Sequence, residues 1–269
     1  MRVRQELLAS IFRFERVAQD TYRTYPPHIC GNLNNGILFG GQVVSQISGA
    51  LQEFLGKTLR ISSLHHRFVA AGSGSLPLDY HIQILDSLYR IRVSQKGKCI
   101  GLCHVRVSEQ FPPVYLTDIP SPLTIPSLDD VCTQISFPQP LELVRELIWE
   151  VRVVEWGRHP KNLVPDTSGF QVALLLSDFM ILQIAEDIYN QYGFSVKLGA
   201  SLSHAVRFHR KNETIRSIEW FLYQVHCETI GMDRCKLTAT VFDQESQAIL
   251  SIIQEGYVLV EKTKETAKL

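Results

Sequence analysis

Ser63-Leu64-His65-His66-Arg67-Phe68 and Ser201-Leu202-Ser203-His204-Ala205-Val206-Arg207-Phe208 are one motif written twice in this chain. Both run Ser-Leu-x-His and then on to Arg-Phe, with two extra residues in the second copy. The two serines stand 138 positions apart (201 minus 63), close to half of the 269 residues. A repeat at half the chain length predicts two copies of one structural unit.

The surroundings of each copy carry the same order of elements. Upstream of the first, Gly40-Gly41-Gln42 marks a helix start. Val43, Val44, Ile47, Ala50, Leu51 and Phe54 then recur at the three-to-four-residue spacing of a buried stripe. Strands are predicted at Ile61 to Val69, Leu76 to Leu85, Tyr89 to Gln95 and Cys99 to Ser108, with Gly97 as a turn residue. In the second half, a strand region is predicted at Leu141 to Val154 and a helix from Phe170 to Tyr189. Strands resume at Ala200 to His209, Ser217 to Cys227, Cys235 to Asp243 and Ile249 to Val260. Between the halves, seven prolines from Pro112 to Pro140 exclude a helix or an interior strand, because proline lacks the N–H that both require. The organisation read from this is a unit over 1–111, a proline-rich linker over 112–140 and a second unit over 141–269. The fold class is α+β, with two antiparallel sheets, each wrapped around a long helix.

Composition removes several functions. Lysine plus arginine and aspartate plus glutamate both number 27, so the formal net charge is zero, which argues against a nucleic-acid partner held through its phosphate backbone. The six cysteines include no C-x-x-C pair and read as free thiols in a reducing compartment. The longest apolar stretch, Ala173 to Ala185, is interrupted by Ser177 and Asp178 and is shorter than the roughly 20 residues a membrane span needs. There is no G-x-S-x-G, no G-x-x-x-x-G-K-[ST] and no strand-linked G-x-G-x-x-G, which disfavours serine-nucleophile, nucleotide-hydrolysing and dinucleotide chemistry. His204 and His209 lack a third ligand at a sensible spacing, so no metal is expected. The chain closes on Ala267-Lys268-Leu269, a one-residue variant of the S-K-L peroxisomal address.

Two polar residues, Asp178 and Gln254, stand where apolar ones belong, and Glu255 and Ser201 are lesser candidates. In a helix, the i±3 and i±4 neighbours of Asp178 are Leu174, Leu175, Ile181 and Leu182, so its carboxylate falls on a buried face and needs partners or a task. Gln254 shares its period-two strand face with Ile252, Gly256, Val258 and Val260. Glu255, on the other face with Ile253 and Tyr257, is a weaker case. Ser201 opens a strand whose alternate residues Ser201, Ser203, Ala205 and Arg207 form a small or polar face. A satisfied structural hydrogen bond is the competing reading for each.

Taken together, these motifs resemble the acyl-CoA thioesterase II family. The anchors are Phe39-Gly40-Gly41-Gln42-Val43-Val44-x-Gln46, Ser63-Leu64-His65-x-x-Phe68, Ser177-Asp178-Phe179, Ser201-Leu202-x-His204, Phe208-His209-Arg210 and Gln254-Glu255-Gly256, covering about Phe39 to Val260. The resemblance implies a double hotdog fold, acyl-CoA as substrate, no cofactor beyond the coenzyme A of the substrate, a homo-oligomer and, with the Ala267-Lys268-Leu269 ending, peroxisomal import through the import receptor. It carries a catalytic set onto Asp178, Ser201 and Gln254. For substrate contact the candidates are Gly40, Gly41, Gln42, His65, Arg207 and Arg210, the two arginines by charge alone. Gly40-Gly41 either donates backbone N–H groups to an oxyanion or permits tight helix packing. The chain departs from the family at Ser203, where an aspartate is usual, at Ala70-Ala71-Gly72 in place of R-P-G, and at Ser87-Leu88-Tyr89-Arg90 in place of G-R-x-F. The alternatives left open are a non-catalytic acyl-CoA binding protein and a hotdog hydratase.

Overall fold

Strand register organises the molecule. The computed structural model describes residues 10–30, 36–56, 60–108, 146–152, 169–179, 181–210, 220–242 and 247–263. The predicted linker over 112–140 and the Ala267-Lys268-Leu269 ending lie outside the described residues. The first half contributes β1 (Glu15–Ala18), β2 (Thr21–Thr24), helix α1 (Gly40–Leu55), β3 (Ile61–Phe68), β4 (Leu78–Leu85), β5 (Leu88–Gln95) and β6 (Lys98–Val107). The second contributes β7 (Glu146–Arg152), α2 (Gly169–Leu176), α3 (Gln183–Gln191), β8 (Phe194–Phe208), β9 (Trp220–Gly231), β10 (Arg234–Phe242) and β11 (Ala248–Lys262). β1 and β2, which have no clear apolar alternation, were not legible in the sequence.

The two expected sheets are the halves of one continuous sheet. Its eleven strands run in the order β1-β2-β4-β5-β6-β3-β8-β11-β10-β9-β7, and every pairing is antiparallel. Read outward from the β3–β8 seam, β6, β5, β4 and β2 on one side answer β11, β10, β9 and β7 on the other. This is the double hotdog architecture. The seam pairs Ser63 with Arg207, Leu64 with Val206, His65 with Ala205, His66 with His204 and Arg67 with Ser203. His66 and His204 occupy the same place in the repeated Ser-Leu-x-His motif, so the two-fold relation of the halves passes between them.

Helix α1 is more enclosed than an amphipathic stripe would make it. Every residue from Gly41 to Leu51 is buried, polar ones included. Each polar side chain meets a partner: the Gln42 carbonyl accepts from the Ile29 N–H (2.6 Å), Ser45 donates to the Gln171 carbonyl (2.7 Å), and Tyr80 donates to Gln46 (2.6 Å). Val44, Ile47 and Leu51 are fully buried, each worth about 1.5–3 kcal/mol relative to exposure. Gly41 permits the close approach of α1 to α2, since a Cβ there would lie 2.2 Å from the Leu175 carbonyl oxygen.

The single helix predicted from Phe170 to Tyr189 is two helices. α2 ends at Leu176, and Ser177 and Asp178 form a turn before α3 starts at Gln183. Apolar spacing runs through the break, which is why periodicity alone joins the segments. The turn delivers Asp178 to the start of α1 rather than leaving it on a helix flank.

Candidate active site

Three separate elements bring Asp178, Ser201 and Gln254 into contact. Ser201 donates its hydroxyl hydrogen to Asp178 Oδ1 (2.8 Å). The Gln254 amide nitrogen donates to the same oxygen (3.0 Å) and reaches Ser201 Oγ (2.8 Å). The Gly41 N–H, in the first turn of α1, donates to the Asp178 carboxylate as well. That turn is where unpaired N–H groups and the positive end of the helix dipole favour an anion.

Ser201 reaches the site through a bulge. From Gln254 to Gly256 the register of β11 against β8 runs Gln254↔His204, Glu255↔Ser203 and then Gly256↔Ser201, so Leu202 is an extra residue in β8. Strict alternation groups Ser201 with Ser203, Ala205 and Arg207. The bulge overturns that grouping and turns Ser201 to the inner face, opposite Gly256, while Ser203 and Arg207 stay on the outer face. Gly256 suits this crowded spot: a Cβ there would lie 2.5 Å from Leu182 and 2.7 Å from the Cys235 sulfur.

Burial sets the charge balance. Asp178 as a residue is half-buried, yet its carboxylate sits far enough inside for desolvation to push its pKa above the ordinary 3.8. The hydrogen bonds from Ser201, Gln254 and Gly41 pull the other way and fall short. A carboxylate so poised is a proton acceptor with more basicity than an exposed aspartate. Behind it, His204 is fully buried, with Nδ1 against Gln254 Oε1 and Nε2 2.8 Å from Ser177 Oγ. Its pKa is lowered, chiefly by burial, so it is held neutral. The sequence shows His204 and Ser177 only as parts of motifs and assigns neither a role in the site.

The substrate-contact candidates divide. Gly40 and Gly41 adjoin Asp178: a Cβ on Gly40 would lie 2.5 Å from Asp178 Oδ2. The packing reading holds for Gly41, whose N–H serves the Asp178 carboxylate rather than a substrate oxyanion. Gln42 is fully buried between Ile29 and His28 and ties that segment to the helix. His65 and Arg207 are exposed on the outer face, where they line a groove with His104, Arg106 and His209 on the opposite side of the sheet from Asp178. Arg210 is half-buried just beyond β8. The structure does not bring these last three to Asp178. Glu255 is exposed on the outer face opposite Ser203.

The first half lacks the matching groups. Ser48 Oγ donates to the carbonyl three residues back (Ser45, 2.6 Å), as Ser177 Oγ lies 2.7 Å from that of Leu174. Gly49 follows Ser48 in the chain as Asp178 follows Ser177. His66 faces Cys103 as His204 faces Gln254, so a thiol replaces the amide. Ser63, without a bulge at the matching step, pairs with Arg106 and Arg207 and lines the outer groove.

Comparisons agree with this architecture. Residues 135–258 match the family model described as the acyl-CoA thioesterase C-terminal domain, a span that contains Asp178, Ser201 and Gln254. The chain is similar to acyl-CoA thioesterases. Similar relatives include acyl-coenzyme A thioesterase 8 of Mus musculus and of Homo sapiens, each 24% identical over 305 residues, covering 99% of this chain and 93% of the relative. Among solved structures, the tesB protein of Mycobacterium avium subsp. paratuberculosis is 18% identical with a TM-score of 0.72, covering 94% of this chain and 98% of its own. That likeness speaks to the fold. It extends the double hotdog architecture over nearly the whole chain, including the first half that the family model does not reach.

Proposed function

We propose that the chain hydrolyses fatty acyl-CoA thioesters to free fatty acid and coenzyme A with a water molecule that Asp178, Ser201 and Gln254 hold and activate. The observation that carries this is the convergence of a basic, desolvated carboxylate with a hydroxyl and an amide, supplied by a turn and two strands. Asp178 takes a proton from the water as its oxygen attacks the thioester carbonyl carbon. The tetrahedral intermediate collapses with cleavage of the C–S bond, and the leaving sulfur receives the proton from Asp178. General-base catalysis of this kind contributes about 10²–10⁴-fold. Ser201 and Gln254 orient the water and hold Asp178 against rotation. No covalent acyl-enzyme is required.

The departure at Ser203 does not weaken the reading. Ser203 pairs with Glu255 and Arg67 on the outer face, so the aspartate usual there would stand across the sheet from the reacting groups. A hydratase is disfavoured because the buried His204 reaches Gln254 and Ser177 rather than offering a ring nitrogen to substrate beside Asp178. The proposal extends to assembly as a homo-oligomer. Where Ala267-Lys268-Leu269 is the free C-terminus, it extends to residence in the peroxisome.

The test is turnover of a panel of acyl-CoAs from short to long, followed by loss of thioester absorbance, for the full chain and for Asp178→Asn. Hydrolysis that disappears in Asp178→Asn with acyl-CoA binding retained is the expected result. Substantial turnover in the variant overturns the assignment of the base. Binding without turnover in the parent chain favours a non-catalytic acyl-CoA binder.

A further inference from the structure

We infer that His204 and Ser177 are positioning residues that lock the orientation of the Gln254 amide, an inference that rests on the reading of the site above. The argument is one of hydrogen-bond direction. Asp178 in its carboxylate form only accepts, and Gln254 Nε2 lies 3.0 Å from Asp178 Oδ1 and 2.8 Å from Ser201 Oγ. The amide therefore presents NH₂ to the site and Oε1 to the interior. Oε1 faces His204 Nδ1, so Nδ1 must carry the ring hydrogen and donate it. Burial keeps His204 neutral, with a single ring hydrogen, so Nε2 is bare and accepts from the Ser177 hydroxyl (2.8 Å). Ser177 can release that hydrogen from the Leu174 carbonyl (2.7 Å) because its own backbone N–H also reaches that carbonyl (3.2 Å).

The directed chain runs Ser177 to His204 to Gln254 to Asp178, and each link fixes the next. Reversed, the amide would aim its oxygen at the carboxylate and its NH₂ at a ring hydrogen, leaving like groups facing each other at both ends. The matching histidine of the first half supports the inference by contrast. His66 is equally buried, but Cys103 replaces the glutamine opposite it, and neither ring nitrogen has a hydrogen-bond partner among the described residues. A relay thus accompanies the half that has the carboxylate and amide, and is missing from the half that lacks them.

Steady-state kinetics of the full chain, across a pH series and on the acyl-CoA it hydrolyses fastest, test this with His204→Leu, His204→Asn and Ser177→Ala. His204→Leu removes the donor to Gln254. The expected result is a kcat about 10- to 100-fold lower, as befits a group displaced by about 1 Å, with KM changed less than about twofold. Its acid limb moves to higher pH, because Asp178 loses a donor that stabilises its charged form. His204→Asn, whose amide nitrogen can stand near the Nδ1 position, recovers part of kcat and returns the limb toward the parent value. Ser177→Ala retains the backbone bond to Leu174 and gives a smaller change in the same direction, which keeps the inference testable if His204→Leu does not fold. A folded His204→Leu, or Ser177→Ala, with parental kcat and an unmoved acid limb overturns the relay while Asp178→Asn stays inactive and the proposed function stands. Turnover persisting in Asp178→Asn overturns both.

Discussion

A methyl group on Gly40 probes the site without removing any of its reacting groups. Gly40 opens helix α1, and its backbone lies outside the left-handed region, so alanine is conformationally acceptable there and gains up to about 1 kcal/mol in helix propensity. The difficulty is contact. The new Cβ would lie 2.5 Å from Asp178 Oδ2, 2.8 Å from Phe68 Cζ and 3.1 Å from Phe68 Cε1. Ordinary van der Waals contact begins at 3.4 Å, so the carboxylate must retreat by 3.4 − 2.5 = 0.9 Å. A carboxylate end can swing that far at modest steric cost, but doing so pulls Oδ1 away from the 2.8 Å bond to Ser201 and the 3.0 Å bond to Gln254. Displacement of a catalytic group by about 1 Å costs about 100-fold in rate. Overpacking costs about 1–3 kcal/mol, part of which the propensity gain offsets. The expected Gly40→Ala protein is therefore folded, at most about 2 kcal/mol less stable, and about 100-fold slower in kcat/KM. Thioester absorbance and a thermal melt measure the two quantities. Turnover within about threefold of the parent would show that the position of Asp178 does not set the rate, and the steric reasoning would fail.

Gly41→Ala should fail differently. Its Cβ meets the Leu175 backbone oxygen at 2.2 Å, which no side-chain rotation relieves, so α1 and α2 must separate and stability should fall by about 3 kcal/mol in denaturant melts. A variant as stable as the parent would contradict the interhelix contact. The pH dependence follows from Asp178. Burial raises its pKa, and in the proposed mechanism the base form does the work, so kcat should decline as pH falls through a value above 3.8, and an acid limb below that would refute the raised proton affinity. The same shift bears on stability with the opposite sense. Asp178 binds its proton more tightly folded than unfolded, so its favourable contribution is complete below 3.8 and is lost as pH rises through the folded pKa. The melting temperature of Asp178→Asn relative to the parent should therefore rise between pH 4 and pH 7, and a flat or falling difference would count against the assignment.

The repeat made the fold legible. Apolar periodicity located α1 and the strands β3 to β6 and β8 to β11, because each buries a face with a regular spacing. Burial logic likewise singled out Asp178 and Gln254 as polar residues on apolar faces. What escaped was whatever interrupts periodicity. The break after Leu176 is hidden because Ile181, Ile184 and Ala185 continue the apolar spacing of α2. The bulge at Leu202 is hidden because one extra residue leaves no compositional trace, yet it decides which face Ser201 takes. His65 and Arg207 read as candidates by motif and charge, and only the register of β3 against β8 reveals that both point away from Asp178.

The unequal fates of the two halves have a physical reading. A buried aspartate costs stability wherever it is held, since desolvation opposes its charge even with several donors around it. In the first half Gly49 follows Ser48 as Asp178 follows Ser177, and the space is used for packing: a Cβ there would lie 2.7 Å from the Phe14 ring. Cys103 in place of the amide is a small buried side chain with its thiol pKa raised by desolvation, and it demands no network. His66 has no hydrogen-bond partner among the described residues, its pKa is lowered to about 3 by burial, and it packs edge-on against Phe68 at 4.5 Å. Phe68 in turn closes on Gly40, beside Asp178 of the other half. The half that lacks its own reacting groups thus supplies the second half with the glycine helix start and a wall of its site. The site is assembled across the β3–β8 seam, so the mechanism proposed above draws on both halves.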